Sequence, residues 1–224
     1  MEKKTHVHNL IILDESGSMS SIKSLIISGF NELIQSIKET QRVKSELEHT
    51  ISFFSFNSNG IKEHYFMVTV DDTIQEINSS NYNPHSMTPL YDAMGFSITK
   101  LRNALENHDN YEVLVTILTD GLENHSTEYT ADAIKKLVEE LKAKGWTFTY
   151  IGTDHDVYSQ AHNIAVTNIL FFNKTEMNIK EMFEKEKKSR QRYYYKIMEN
   201  KKENMNKDFN DKFYEDEDIP KENN

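Results

Sequence analysis

The chain alternates between short stretches rich in apolar, β-branched and aromatic residues and longer segments in which apolar residues recur every three or four positions. Stretches of the first kind are typical of strands that are buried in a sheet. They occupy residues 7–13, 50–56, 113–118 and 146–151, and a shorter one follows at 168–172. The pattern therefore predicts a buried sheet built from segments distributed along most of the chain.

The segments between these strands have helical patterns. Between residues 22 and 37, apolar side chains recur at the spacing of one helical face. These side chains are Ile22, Leu25, Ile26, Phe30, Leu33, Ile34 and Ile37. Further helices are predicted at about 90–105, 131–144 and 157–163. Because strands that alternate with helices form a doubly wound sheet, we predict an α/β, Rossmann-like fold with helices on both faces.

One pair of strands breaks the alternation. Residues 50–56 and 61–70 are both strand-like, and only the turn at 57–60, Asn-Ser-Asn-Gly, separates them. A connection this short has room for a hairpin and not for a crossover helix. We therefore predict one antiparallel strand at the edge of an otherwise parallel sheet.

Composition narrows the classes of protein. The chain has 224 residues, a net charge of -10 and no cysteine. The charge argues against general nucleic-acid binding, and the missing cysteines exclude disulfides and thiolate metal sites. Because no stretch approaches the roughly 18 to 20 apolar residues of a membrane span, we expect none. We expect a cytoplasmic protein.

The character of the chain changes near residue 173. We predict a domain over residues 1–172, a charged C-terminal helix or arm over 173–204, and an acidic, disordered tail over 205–224. Residues 180–202 carry nine Lys or Arg and four Glu around the run of tyrosines at 193–195. This run is open to two interpretations, a solvated helix with a few packed tyrosines or a docking surface for a partner.

Polar side chains with oxygen atoms follow two of the predicted strands. Asp14, Ser16 and Ser18 come directly after the first strand, and Asp120 follows residues 113–118. Thr88 precedes Pro89, which is typical of an N-cap and the first residue of a helix. Because ligands of open α/β sheets gather at the carboxyl ends of the strands, we expect these residues to meet there.

Two carboxylates and three hydroxyls suit a hard divalent cation, so we predict a Mg2+ site, with Mn2+ or Ca2+ as alternatives. The predicted ligands are Asp14, Ser16, Ser18, Thr88 and Asp120. The alternative is that the aspartate and the serines only cap a helix, as these residue types commonly do. We expect the neighbouring Glu15 to be solvated surface.

These residues carry a resemblance to a known family. Asp14, Ser16 and Ser18 match the Asp-x-Ser-x-Ser motif of the von Willebrand factor type A domain. Thr88 is similar to its threonine motif as seen in single-domain bacterial members, and Asp120 with the following glycine matches its aspartate motif. The resemblance covers roughly residues 4–172 and implies a complete metal-ion-dependent adhesion site. Where family members often carry glycines before the threonine, this chain has Ser-Met.

The resemblance implies a non-enzymatic module in which Mg2+ bridges to an Asp or Glu of an unknown partner protein. One alternative is a Mg2+-dependent phosphohydrolase with Asp14 as nucleophile. The sequence argues against it, because enzymes of the haloacid dehalogenase type place a second aspartate two residues later, where this chain has Ser16. Another alternative is a scaffold that binds partners through its charged C-terminal helix.

Overall fold

A six-stranded sheet forms the centre of the molecule, and its strand order is β3-β2-β1-β4-β5-β6. The structure is a computed structural model that describes residues 4–44, 46–153, 156–203 and 212–215. The strands are β1 (Thr5–Asp14), β2 (Leu47–Asn57), β3 (Gly60–Thr69), β4 (Tyr111–Leu118), β5 (Thr147–Gly152) and β6 (Asn168–Phe171). Among the strands of the described residues, only β2 and β3 pair antiparallel, and β3 lies at the edge. The predicted fold class and the predicted hairpin are confirmed.

Helices cover both faces of this sheet. They are α1 (Lys23–Val43), α2 (Leu90–Leu105), α3 (Ala131–Ala143), α4 (Val157–Asn163) and α5 (Glu176–Glu203). Because successive side chains of a strand point to opposite faces, β1 contributes to two separate cores. Ile11 packs with α1 and α5 on one face, and Ile12 packs with the other three helices on the opposite face. This double burial explains why β1 is apolar at nearly every position.

The starts of α1 and α2 are not capped by the residues that the sequence suggested. Thr88 is not an N-cap, because α2 begins at Leu90 and Pro89 occupies the N-cap position without a side-chain hydrogen bond. The first helix is preceded by a 3-10 turn, Gly17–Ile22, and no side chain caps this turn or α1. The hydroxyl of Ser18 donates to Oδ1 of Asp120 instead, and that of Ser20 donates to the carbonyl oxygen of Pro84. Helix capping therefore does not account for the serines of this loop.

Helix α5 is part of the core, and it packs against α1. The two helices come so close that a Cβ on Gly29 of α1 would lie 2.0 Å from Cδ2 of Phe183. Tyr193 and Tyr194 are buried on the same face of the sheet, so the tyrosines are packed as predicted, but the helix that carries them is part of the core and not a solvated arm. The division of the chain at residue 172 stays a prediction, although the packing of α5 is that of an integral helix.

Part of the predicted tail is also packed. Phe213 and Tyr214 are buried in the same core as α5, with 5% and 9% of their surfaces exposed. These two side chains are therefore packed against the domain, and the assignment of a disordered tail over 205–224 stays a prediction. The rest of the predicted tail, residues 205–211 and 216–224, lies outside the described residues.

A buried ion pair links α5 to the sheet. Nη2 of Arg190 lies 2.7 Å from Oε1 of Glu186, and both side chains are at most 1% exposed. The guanidinium also donates to Oδ1 of Asn9 in β1 at 2.8 Å and to Oγ1 of Thr116 in β4 at 2.7 Å. The hydroxyl of Tyr214 donates to Oε2 of Glu186 at 2.6 Å. Helix, sheet and C-terminal residues thus share one desolvated polar cluster.

His49 of β2 borders this cluster, and we expect it to make folding sensitive to acid. Burial, and then the charge of Arg190, lower the pKa of His49 to about 4. The unfolded chain takes up this proton near pH 6.5, so it binds more protons than the folded chain between these values. Stability should therefore fall as pH falls from about 6.5 to 4. Urea unfolding of wild type and His49→Leu across this range should show a steeper loss in wild type, by up to about 3 kcal/mol. Equal slopes would show that His49 does not contribute.

Candidate functional site

Asp14 lies at the carboxyl end of β1 and is fully buried. Oδ1 accepts a hydrogen bond from the backbone N–H of Ser16 at 2.7 Å, and Oδ2 accepts one from Oγ1 of Thr119 at 2.6 Å. Burial raises the pKa of Asp14 to about 6, although these hydrogen bonds act in the opposite direction. The carboxylate is therefore held in one orientation at a position where its negative charge is costly.

The two serines of the loop join β1 to the end of β4. Ser16 and Ser18 lie with their hydroxyl oxygens 3.0 Å apart. The hydroxyl of Ser18 donates to Oδ1 of Asp120, the second residue after β4. These bonds explain why neither serine caps the helix that follows. The loop after β1 and the loop after β4 are thus connected through the predicted ligands themselves.

Thr88 reaches the same place from the loop before α2. A Cβ built on Gly121 would lie 3.1 Å from Oγ1 of Thr88, 3.3 Å from Oγ of Ser18 and 3.7 Å from Oδ2 of Asp14. Oxygens from two loops, the one after β1 and the one before α2, therefore border a single small space beside Gly121 in the loop after β4. All five predicted residues meet at this edge of the sheet.

The loop before α2 takes a conformation that the family's glycines would favour. Ser86 lies two residues before Thr88, and its φ of 68° is in the left-handed region. Its carbonyl oxygen accepts a hydrogen bond from the N–H of Gly17 at 2.9 Å. The backbone N–H of Thr88 donates to Oδ1 of Asn124 at 2.9 Å. Non-glycine residues hold the loop in place here through contacts with both neighbouring loops.

Three residues of the site were not found from the sequence. Thr119 orients Asp14, as described above. Glu15, expected on the surface, is 7% exposed and accepts a hydrogen bond from Oγ of Ser55 at 2.5 Å. Lys174, after β6, places Nζ 2.8 Å from Oδ2 of Asp120. The position of Lys174 just beyond a strand end was a usable signal, because all parallel strands end at this edge.

The donor set determines what the site can do. Two carboxylates and three hydroxyls are hard oxygen donors, the class that Mg2+ and Ca2+ prefer. In the described part of the chain, no group of three or more His, Cys, Asp or Glu side chains could hold a metal. A cation at this site would therefore need the hydroxyl oxygens as well as the carboxylates. The residues fit a hard cation and do not fit zinc or a redox metal.

A doubly wound sheet with acidic and hydroxyl side chains gathered at its carboxyl edge defines an α/β domain with a candidate ligand site at that edge. The model of the von Willebrand factor type A domain family matches residues 10–185. The chain belongs to this family. Domains of this family commonly serve as protein-interaction modules.

Solved structures with the same fold come from distant proteins. The vWF domain of the type V pili tip protein Mfa5 from Porphyromonas gingivalis is 11% identical, with a TM-score of 0.57, and the match covers 84% of this chain and 95% of that one. The pilus adhesin SpaC from Lactobacillus rhamnosus GG is 12% identical, with a TM-score of 0.60 and coverage of 84% and 30%. Proximal thread matrix protein 1 from the mussel byssus is 13% identical, with a TM-score of 0.54 and coverage of 81% and 45%.

The chain thus spans less than half the length of the adhesin and of the mussel protein. At these identities the likeness establishes the fold alone. No curated protein matches the sequence. Among the helices of the described residues, none has the length and apolar character required to cross a membrane.

Proposed function

We propose that the chain is a Mg2+-dependent protein-binding module with a complete metal-ion-dependent adhesion site. One observation carries the proposal: oxygens of the loop after β1 and of the loop before α2 meet around the space beside Gly121, which lies in the loop after β4. The ion is held by Asp14, Ser16, Ser18, Thr88 and Asp120. When bound, the metal supplies a positive charge that accepts a carboxylate oxygen from an Asp or Glu of the partner.

Hydrogen bonds from the surrounding residues support this proposal, because they fix the orientation of the predicted ligands. Thr119 and the N–H of Ser16 fix the carboxylate of Asp14, and Ser18 fixes one oxygen of Asp120. Both aspartates are almost fully buried, at 0% and 2% exposure. Two desolvated, interacting negative charges are costly unless positive charge compensates them, and Lys174 contacts only Asp120. A divalent cation would offset both charges at once.

Binding is a better interpretation than catalysis or a scaffold role. The structural neighbours named above include a pilus adhesin and a pilus tip domain, and no enzyme is among them. The residue two positions after Asp14 is Ser16, so a phosphohydrolase would lack the second aspartate of the dehalogenase type. A scaffold that binds through α5 is less favoured, because Tyr193 and Tyr194 face the core.

Asp14→Ala should abolish Mg2+ binding, because the variant loses a buried anionic ligand. Isothermal titration calorimetry with Mg2+ or Mn2+ measures the effect, and circular dichroism verifies that the variant is folded. Asp109→Ala is the matched control, since Asp109 is exposed and precedes β4 at the opposite edge of the sheet. Unchanged binding in Asp14→Ala would contradict the site.

The partner can be sought with the same variant. We expect proteins captured in Mg2+ to be lost in EDTA and lost again with Asp14→Ala, when the captured material is analysed by mass spectrometry. An aryl phosphate assay addresses the enzyme alternative. Magnesium-dependent turnover that Asp14→Ala abolishes would favour the phosphohydrolase instead.

A further inference from the structure

One oxygen of the candidate site faces a positive charge from the protein itself. Lys174 follows β6, and its Nζ lies 2.8 Å from Oδ2 of Asp120. The side chain of Asp120 is fully buried, whereas that of Lys174 is 32% exposed. The lysine thus reaches from the solvent boundary into the site and ends at a predicted metal ligand.

This contact differs in kind from the other hydrogen bonds of the site. Oδ2 of Asp120 is buried, and its partner among the described residues is the ammonium of Lys174. The other oxygen, Oδ1, is bonded to Ser18, and both oxygens of Asp14 have donors. The ammonium of Lys174 is thus the partner of Oδ2 among the described residues. A metal ion that binds Oδ2 would have to take the place of this ammonium.

The lysines of α5 that form ion pairs with its own carboxylates provide a comparison. Lys180 pairs with Glu176 one turn away, and both side chains are more than 60% exposed. Pairs of this kind contribute little, because water screens both charges. The pair of Lys174 and Asp120 places one charge in a fully desolvated position, where the interaction is stronger.

We propose that Lys174 is a tethered cation that competes with the divalent metal for Asp120. An ammonium and a metal ion at the same carboxylate repel each other, so metal binding requires the lysine to move away. Its flexible four-carbon chain and its partial exposure allow the ammonium to return to water. Lys174 thereby lowers the affinity of the site for Mg2+ and stabilises the protein when no metal is bound. This inference rests on the function proposed above.

Calorimetric titration with Mg2+ tests the competition directly. Lys174→Gln should bind Mg2+ about five- to tenfold more tightly than wild type, which corresponds to losing a competing interaction of roughly 1 kcal/mol. Lys174→Arg keeps the positive charge and should stay near the wild-type affinity. Lys180→Gln removes an exposed lysine of the same region and should leave the affinity unchanged.

Thermal unfolding gives a second, independent measurement. In EDTA, Lys174→Gln should unfold about 2–4 °C below wild type, because the buried Asp120 has lost its compensating charge. In saturating Mg2+, this difference should disappear or reverse. A lysine with a merely structural role would lower the unfolding temperature equally in both conditions.

The outcomes separate this inference from the proposed function. If wild type binds Mg2+ and Lys174→Gln binds it equally or more weakly, the competition is overturned and the metal site stands. If neither protein binds Mg2+ or Mn2+, both proposals are overturned. Binding by Lys174→Gln alone would support the competition in its strongest form, with the lysine excluding the metal from wild type.

Discussion

Arg190→Met should destabilise the fold by about 3–5 kcal/mol, the usual cost of breaking a buried ion pair by removing one partner. The substitution leaves the carboxylate of Glu186 fully buried without its compensating charge. It also removes hydrogen bonds to Asn9 and Thr116, which tie α5 to two central strands. Urea denaturation followed by circular dichroism measures the loss.

Two further variants test this reasoning. Lys187→Met removes a lysine that forms an ion pair with Glu184 on the same helix, and this pair is more exposed. The pair should contribute at most about 1 kcal/mol to the free energy of unfolding. The double variant Arg190→Met/Glu186→Gln also removes the negative charge that Arg190→Met leaves unpaired on Glu186. It should therefore recover part of the lost stability. If Arg190→Met costs no more than Lys187→Met, the buried pair is not the contact that holds α5.

Hydrophobic periodicity was sufficient for the strand and helix order, because buried strands and amphipathic helices place apolar residues at different spacings. The same periodicity did not predict that α5 is buried, because its many charged residues outnumber the apolar side chains of its one buried face. Ile179, Phe183 and Ile197 lie on that face at helical spacing. Glu186 and Arg190 fall between them on the same face. A charged pair four residues apart inside an apolar stripe was the signal for a buried ion pair.

The predicted ligands were found because motif residues at strand ends can be placed by topology alone. The groups that hold or neutralise them were not assigned these roles, since hydrogen-bond partners depend on how the loops fold against one another. Thr119 bonds Asp14 from the loop after β4, and Lys174 reaches Asp120 from the segment after β6. The predicted N-cap at Thr88 was wrong for a related reason. A residue type that caps helices also supplies site oxygens, and only the fold decides between the two.

Gly121→Ala should weaken Mg2+ binding about ten- to hundredfold, which matches the roughly 1–3 kcal/mol that an extra methyl group costs in a filled space. Its Cβ would stand 3.1 Å from Oγ1 of Thr88 and 3.3 Å from Oγ of Ser18, in the space that the site oxygens surround. No positive φ is required of Gly121, so backbone strain does not add to the effect. Calorimetric titration measures the affinity, and circular dichroism in EDTA measures how much folding stability is lost.

Leu122→Ala is the matched control for this loop, because Leu122 is 50% exposed and adjoins Gly121. If both variants lost Mg2+ binding, the loop would be sensitive to any substitution. The effect of Gly121→Ala could then not be assigned to the methyl group that it places between the site oxygens. If Gly121→Ala alone loses binding and remains folded, the space beside Gly121 is where the cation must be accommodated. Wild-type affinity in Gly121→Ala would instead place the cation elsewhere, and the convergence of Asp14, Ser18 and Thr88 would need another explanation.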